Sequence, residues 1–395
     1  MDKAEEITVN ASINIIKNAM SAGIPGTDYE GMDYAAAIGA LGGDPVYLLE
    51  VMNHVPRETV EAAAALVKAG KVRVNVAQVP QKLYIEVIAK GGGHTGRAIV
   101  RDLHTNVVLV EQDGVATLDK RDTDTAAAGD SDVVSPEQIA SFLTVRSIWD
   151  YCTKELDPMN DPIDIIRSAV KVNSVISDEG LSKEYGLAIG RNLDLNCRKG
   201  LMTRDLTTNS MIAAAAGADA RMAGAPVSVV ANSGSGNQGL TVSLPVISLA
   251  ESWDSSREQL LRALLISNLV SVHVKRHIGR LSAYCGATSA SSGVAAAATW
   301  LRGGSREEIA SSVVNTLAVV SGMICDGAKA SCAAKIAAAL DSAFLAHRLA
   351  MQGKRFAGGD GIVAADTEET IRRIGSLGSR GMAGTDKEIL RLMLL

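Results

Sequence analysis

VRVNVAQVPQKLYIEVIAKGGGHTGRAIVRDLHTNVVLVEQDG, residues 72–114, decides how this chain folds. Residues 72–77 and 83–89 are rich in Val, Ile, Leu and Tyr, which suit a pleated, half-buried surface. Gly91-Gly92-Gly93 then breaks the run as a hairpin does, and 95–102 and 106–110 resume it. Gln112-Asp113-Gly114 predicts a tight turn, because Asp-Gly tolerates positive φ angles. Working outward, residues 6–11 read as one more strand and 14–22 as the start of a helix. Gly23-Ile24-Pro25-Gly26 supplies a turn. Several strands with flanking helices make an α+β unit.

Past this region the pattern changes. Residues 121–135 are mostly Arg, Asp, Thr, Ala, Gly and Ser, interrupt every periodicity, and read as a linker. Ser135-Pro136 and Asp161-Pro162 each set an N-cap before a proline at the first helical position. Capping boxes are predicted at Ser135/Gln138, Ser255/Glu258, Ser305/Glu308 and Thr385/Glu388. Ile309, Val313, Val314 and Leu317 recur at helical spacing. The fold class expected is therefore α+β: a mixed α/β domain over 1–120, a linker over 121–135, and a larger all-helical domain over 136–395.

Composition narrows the functions. A chain of 395 residues with 47% apolar residues can bury more than one core. Aromatics are only 3%, so the core must use Ala, Val, Leu, Ile and Met, and no platform for stacking bases is available. With a net charge of −5 and no Lys/Arg run, no nucleic acid is expected as a partner. Five cysteines, an odd count without secreted-scaffold spacing, argue against a disulfide framework. The N-terminus has no apolar leader, and Ala-rich tracts such as 295–298 are too short for a membrane span. The cytoplasm is the expected location, with no membrane association.

Three cysteines sit beside glycines in the helical half. Cys285 lies in Ser282-Ala283-Tyr284-Cys285-Gly286-Ala287; Cys325 and Cys332 bracket Asp326-Gly327-Ala328-Lys329-Ala330-Ser331. A separation of seven stacks the latter two on one face of a continuous helix, whereas a break at Gly327 swings both sulfurs toward one point. Three thiolates leave one iron of a 4Fe–4S cluster open as a Lewis acid. Spacing alone favours buried small hydrophobes, and it also admits zinc completed by a further ligand. A second constellation is Asn232-Ser233-Gly234-Ser235-Gly236-Asn237-Gln238-Gly239, where glycines at positive φ let backbone N–H groups converge on an anion such as a carboxylate. It lacks the Gly-Lys-Ser/Thr end of a nucleotide loop, and a polar turn is the plain alternative. Six histidines suggest no dedicated cluster. His104 lies between strand signals; His273 and His277, four apart on one helix face with Lys275, Arg276 and Arg280 nearby, have a spacing that suits metal ligation but reads rather as a solvated basic face. Cys152 and Cys197 read as structural.

At these motifs the chain resembles the iron–sulfur L-cysteine desulfidases, relatives of the iron–sulfur L-serine dehydratases. The resemblance spans nearly the whole chain. It includes 14–20 with 23–27, Leu41-Gly42-Gly43-Asp44-Pro45, His104-Thr105-Asn106, and Asp219-Ala220-Arg221-Met222-Ala223-Gly224-Ala225-Pro226. It continues through the 233–239 loop, Gly279-Arg280-Leu281-Ser282, 322–329 and Asp360-Gly361-Ile362-Val363. The resemblance implies that Cys285, Cys325 and Cys332 ligate a 4Fe–4S cluster. It further implies β-elimination from L-cysteine or a related small amino acid, giving sulfide or water, ammonia and pyruvate. Implied substrate-binding positions are Asn18, Thr27, Ser233, Gly234, Gly236, Asn237, Gln238 and Lys329; His104, Ser235 and Lys275 are the implied catalytic ones. A homodimer is expected. Family members carry a Gly-Cys-Thr-Glu-Pro segment ahead of the region matching 6–18, and its cysteine is a candidate base. The expectation is that another, separately encoded chain supplies this base, that a residue here replaces it, or that the lyase activity is lost. The alternative function is an incomplete iron–sulfur or substrate-binding subunit that needs such a partner.

Overall fold

The computed structural model describes residues 4–52, 54–122, 138–139, 142–279 and 281–395. Strand β1 (Glu6–Ala11) buries Ile7, Val9 and Ala11 on alternate positions, the period of a one-face-buried strand. Helices α1 (Ile13–Ala19), α2 (Met32–Gly42) and α3 (Arg57–Lys68) follow, then β2 (Val72–Val76), which pairs parallel with β1. Strands β3 (Tyr84–Gly91), β4 (His94–Arg101), β5 (Val107–Gln112) and β6 (Val115–Asp119) continue as an antiparallel meander. The sheet order is β2-β1-β3-β4-β5-β6. Gly92 and Gly93 turn the β3–β4 hairpin, and Asp113 and Gly114 the β5–β6 hairpin, all four at positive φ.

The apolar face of the sheet packs on α1–α3 through Ile7, Val9, Ile15, Ile16, Ile38 and Ala63. The other face carries a polar ladder from strand to strand. Asn75 donates to Asn10, Asn10 to Glu86, and Arg97 to Glu86 at 2.8 Å, so the nearly buried Glu86 carboxylate is satisfied on both oxygens.

The remainder is helical: α4 (Val145–Asp150), α5 (Asp164–Ser182), α6 (Ile189–Arg198), α7 (Leu206–Met222), α8 (Gly236–Ser252), α9 (Arg257–Ile278), α10 (Gly286–Leu301), α11 (Arg306–Val320), α12 (Ser331–Ala350), α13 (Thr367–Ser376) and α14 (Ala383–Met393). Helix α10, GATSASSGVAAAATWL, is buried from Ala287 through Thr299, as a helix without a polar face must be. Helices α8, α9, α11 and α12 surround it. Its small side chains permit this, for a Cβ at Gly293 would run into the Ser267 carbonyl of α9. Its hydroxyls are satisfied inside the helix, Ser292 donating to Ser289 O at 2.7 Å and Thr299 to Ala295 O at 2.8 Å.

Three of the expected helix starts shift. The box at Ser305/Glu308 caps α11, but the one expected at Ser255/Glu258 is formed one residue later by Ser256 and Gln259. Thr385 is inside α14, which starts at Ala383, so Thr385/Glu388 caps nothing. Helix α5 starts at Asp164, after Asp161-Pro162; the Asp161 carboxylate instead accepts from the Asp157 N–H and closes a turn. The Ser135 cap and most of the 121–135 stretch lie outside the described residues. The basic helix face at His273 is not solvated either. His273 is fully buried, and its Nε2 stands 2.6 Å from a Glu368 carboxylate oxygen on α13.

Candidate active site

The cysteines are brought together by one short backbone pairing. Tyr284 and Ile324 form an isolated antiparallel bridge, with Cys285 N–H donating to Met323 O at 3.1 Å and Cys325 N–H to Ala283 O at 2.6 Å. Cys285 is thereby fixed as the N-cap of α10. After Cys325 the chain breaks at Gly327, whose φ of 111° only glycine adopts readily, and α12 begins at Ser331. Of the two geometries open to the 325–332 segment, the broken one is found. Cys332 lies in the first turn of α12, with its Sγ 3.5 Å from Gly327 O. The three sulfurs line a single cavity of about 250 Å³.

The N-terminal unit closes against this loop. The end of α1 sits on Gly327 so tightly that a Cβ there would meet the Lys17 carbonyl, and Ala328 N–H donates to Asn18 O at 3.3 Å. Lys17, nearly inaccessible to solvent, donates to Cys325 O at 2.9 Å and to the Asp386 carboxylate of α14 at 2.6 Å. Asn18 and His104 from the N-terminal unit both line the cavity.

The 232–239 segment forms another part of the wall. Ser233 (φ 51°) and Gly234 (φ 77°) turn the chain, and Ser235 caps α8 by accepting from Gln238 N–H at 3.4 Å. Gly236 is not at positive φ, contrary to the reading of the loop. It is already helical, and glycine is needed because a Cβ would collide with the Arg221 guanidinium. Ser233, Gly234, Ser235, Asn237 and Gln238 line the cavity, as does Lys275 of α9. Thr27 and Lys329 do not line it. The Thr27 hydroxyl bonds to Ile24 O at 3.0 Å within its own turn, and Lys329 lies 3.4 Å from Asp326.

Three helices, α8, α10 and α12, present their first turns to this cavity, and each N-terminus carries a partial positive charge. Arg221, Lys275 and Lys335 add cationic side chains. Lys335 is ion-paired with Asp326. Burial pulls the Lys275 ammonium down to about 8, and among the described residues no carboxylate shifts it. Burial pushes the Cys285 thiol up to about 12 and raises Cys332 also, so these sulfurs are held protonated until a cation replaces the protons. Among the described residues no three His, Cys, Asp or Glu side chains are grouped to hold one metal ion. Three thiols from two segments line a cavity beside positive helix ends, a donor set with the chemistry for an anionic cluster whose ligands bind different metal atoms. Arg221, Lys335 and Lys17 went unnoticed in the sequence, although all three sit beside or within strings already singled out.

Cys152 is buried in the core around α4 and α9, and its thiol is pushed up to about 12 by burial; Cys197 is partly exposed on α6. Among the described residues no helix is long and apolar enough to cross a membrane.

An α+β protein whose helical part focuses three cysteines and three helix N-termini on one cavity is the class that fold and site define. The profile of the serine dehydratase alpha chain family matches residues 47–391, and the chain belongs to that family. Similar proteins, each named UPF0597 protein, occur in Oleidesulfovibrio alaskensis (41% identity over 390 residues, 99% of this chain and 89% of that protein) and Treponema denticola (42% over 393, 99% and 89%). Another is found in Lachnoclostridium phytofermentans, 41% identical over 391 residues, covering 99% and 90% of the two chains.

Proposed function

We propose that this chain is an iron–sulfur-dependent lyase that eliminates the β-substituent of a small amino acid, L-cysteine or L-serine, with a 4Fe–4S cluster held by Cys285, Cys325 and Cys332. The carrying observation is that these three cysteines line the same cavity as the 233–238 loop. Membership of a family named for serine dehydratase supports the reaction class. When bound, a cluster with three thiolate ligands supplies an open iron as Lewis acid toward the leaving group.

The chain's own residues account for the rest. The Ser233-Gly234 turn and the first turn of α8, which line the cavity, are the candidate grip on the substrate's carboxylate, and the Asn18 amide is the candidate partner for the amine. Lys275, lining the cavity without an acidic partner, is the candidate base for the α-proton. Loss of that proton and of the β-substituent leaves aminoacrylate, which tautomerises and hydrolyses to pyruvate and ammonia. Sulfide leaves from cysteine, water from serine. His104 stands by Gly234 at the exposed side of the loop, as a proton carrier there.

The test is anaerobic reconstitution followed by assays for iron, acid-labile sulfide, and pyruvate released from L-cysteine and L-serine. Cys285→Ser, Cys325→Ser and Cys332→Ser should each lose the iron, while Cys152→Ser and Cys197→Ser keep it. Equal iron in all five variants, or colourless protein with stoichiometric zinc, would overturn the cluster; a loaded protein that yields no pyruvate would overturn the lyase.

A further inference from the structure

Arg221 stands in the last turn of α7, partly withdrawn from solvent, and its guanidinium lines the cavity. Its position is set with care. Nη1 donates to Asn237 Oδ1 at 3.2 Å, and Gly236 yields the space that its Nε occupies. Behind it, the α7 terminus is locked to the N-terminal unit. Gly23 N–H donates to Met222 O and Gly26 N–H to Gly224 O, both at 3.1 Å, and a Cβ at Gly23 would overlap the Ala223 carbonyl group.

What Arg221 lacks is a carboxylate partner. Among the described residues no carboxylate acts on it; the one ionisable side chain felt there is Cys332, a thiol whose pKa its own burial raises. Lys335, on the same cavity, has Asp326. A guanidinium held in place, desolvated and unpaired is costly unless something negative arrives. The adjacent N-terminus of α8 adds positive potential at the same spot. A planar fork of N–H donors is the group that matches a carboxylate in geometry as well as charge.

We propose that Arg221, with the first turn of α8, is the subsite for the substrate's α-carboxylate, so that the enzyme takes free α-amino acids and rejects their amides and esters. This assignment rests on the amino-acid lyase reading of the cavity and gives the substrate a direction in it. The carboxylate lies on the Cys332 side, at Arg221. Lys275 lines the same cavity.

The experiment uses the anaerobic, reconstituted full chain and reads binding by calorimetry. L-serine and L-serinamide are titrated into wild type, Arg221→Gln and Arg221→Lys, with circular dichroism and iron content verifying each fold. Wild type should prefer the acid over the amide by about tenfold to a hundredfold, the range for a charge-assisted pair. Arg221→Gln should lose that preference by weakening the acid alone, and Arg221→Lys should retain part of it. Equal affinity of wild type for acid and amide overturns the subsite without reference to any variant. So does a folded Arg221→Gln that binds L-serine as wild type does. Pyruvate release separates the two readings. Wild type that turns over serine while Arg221→Gln binds normally refutes only the subsite; Arg221-dependent binding without pyruvate refutes only the lyase.

Discussion

Lys275 and Gly327 show what single side chains, present or missing, contribute to this site. Replacing Lys275 by Met keeps the length of the side chain and removes the only basic atom. If it takes the α-proton, pyruvate formation should fall by about a hundred to ten thousand-fold, with amino-acid binding and iron content retained. A loss below about threefold, measured at saturating substrate, would move the base elsewhere, with His104 next. Gly327→Ala addresses the loop. A Cβ at φ 111° is strained and also meets the Lys17 carbonyl, so the loop must open where Cys325 and Cys332 are aimed. The variant should lose about 1–3 kcal/mol of stability in urea denaturation and retain little iron after desalting. The resemblance singled out the three cysteines that share the cavity; spacing alone did not, since small buried hydrophobes leave the same pattern. Arg221 was not legible, because an arginine late in a helix reads as a solvated, dipole-compatible charge until its neighbours in space are known.

Among elements, the strands announced themselves best. The 6–11 reading matches β1, and both hairpin glycine turns fall where expected, since alternate burial and positive φ are written locally. Helix starts were less legible. Ser255 and Ser256 are each followed by Glu or Gln three residues on, so only packing selects the frame. The helices also carry a titration that sequence hides. Burial holds His277 of α9 and His347 of α12 each at about 4, below the ordinary 6.5, while burial raises Asp219 of α7 from 3.8 to about 6. Each histidine takes up a proton on unfolding below pH 6.5, so stability falls as pH drops. Asp219 works oppositely, gaining stability as pH falls below about 6. Two against one leaves the histidines dominant, and the urea midpoint should fall between pH 7 and pH 5. In His347→Asn the two remaining groups oppose each other, so the midpoint should change less over that interval. An unchanged pH dependence in this variant would remove His347 from the account.

On the scale of the whole molecule, Lys17 ties together α1, the cysteine loop and α14, reaching Cys325 O and Asp386 across most of the chain's length. No pattern near residue 17 discloses this, since both partners are more than three hundred positions away; Cys285 and Cys325 likewise meet only because Tyr284 pairs with Ile324. Removing one member of a buried ion pair strands the other, so Lys17→Met should cost about 3–5 kcal/mol. The double variant Lys17→Met with Asp386→Leu should recover part of that in the same denaturation experiment, and strict additivity would show that the pair does not couple. Helix α10 holds a further consequence. It is walled in by four neighbours along its length, and Cys285 is its cap. A rod so confined cannot bend or tilt, and a shove at its middle is passed lengthwise. Gly293 lies about 12 Å down the axis from Cys285, at a rise of ~1.5 Å per residue. An alanine there would strike the Ser267 carbonyl and press on the shaft, and the backbone pairing that seats Cys285 at its tip would take up the strain. With the proposed cluster bound at that tip, the magnetic signature of the reduced protein should therefore register a methyl group that never touches the site.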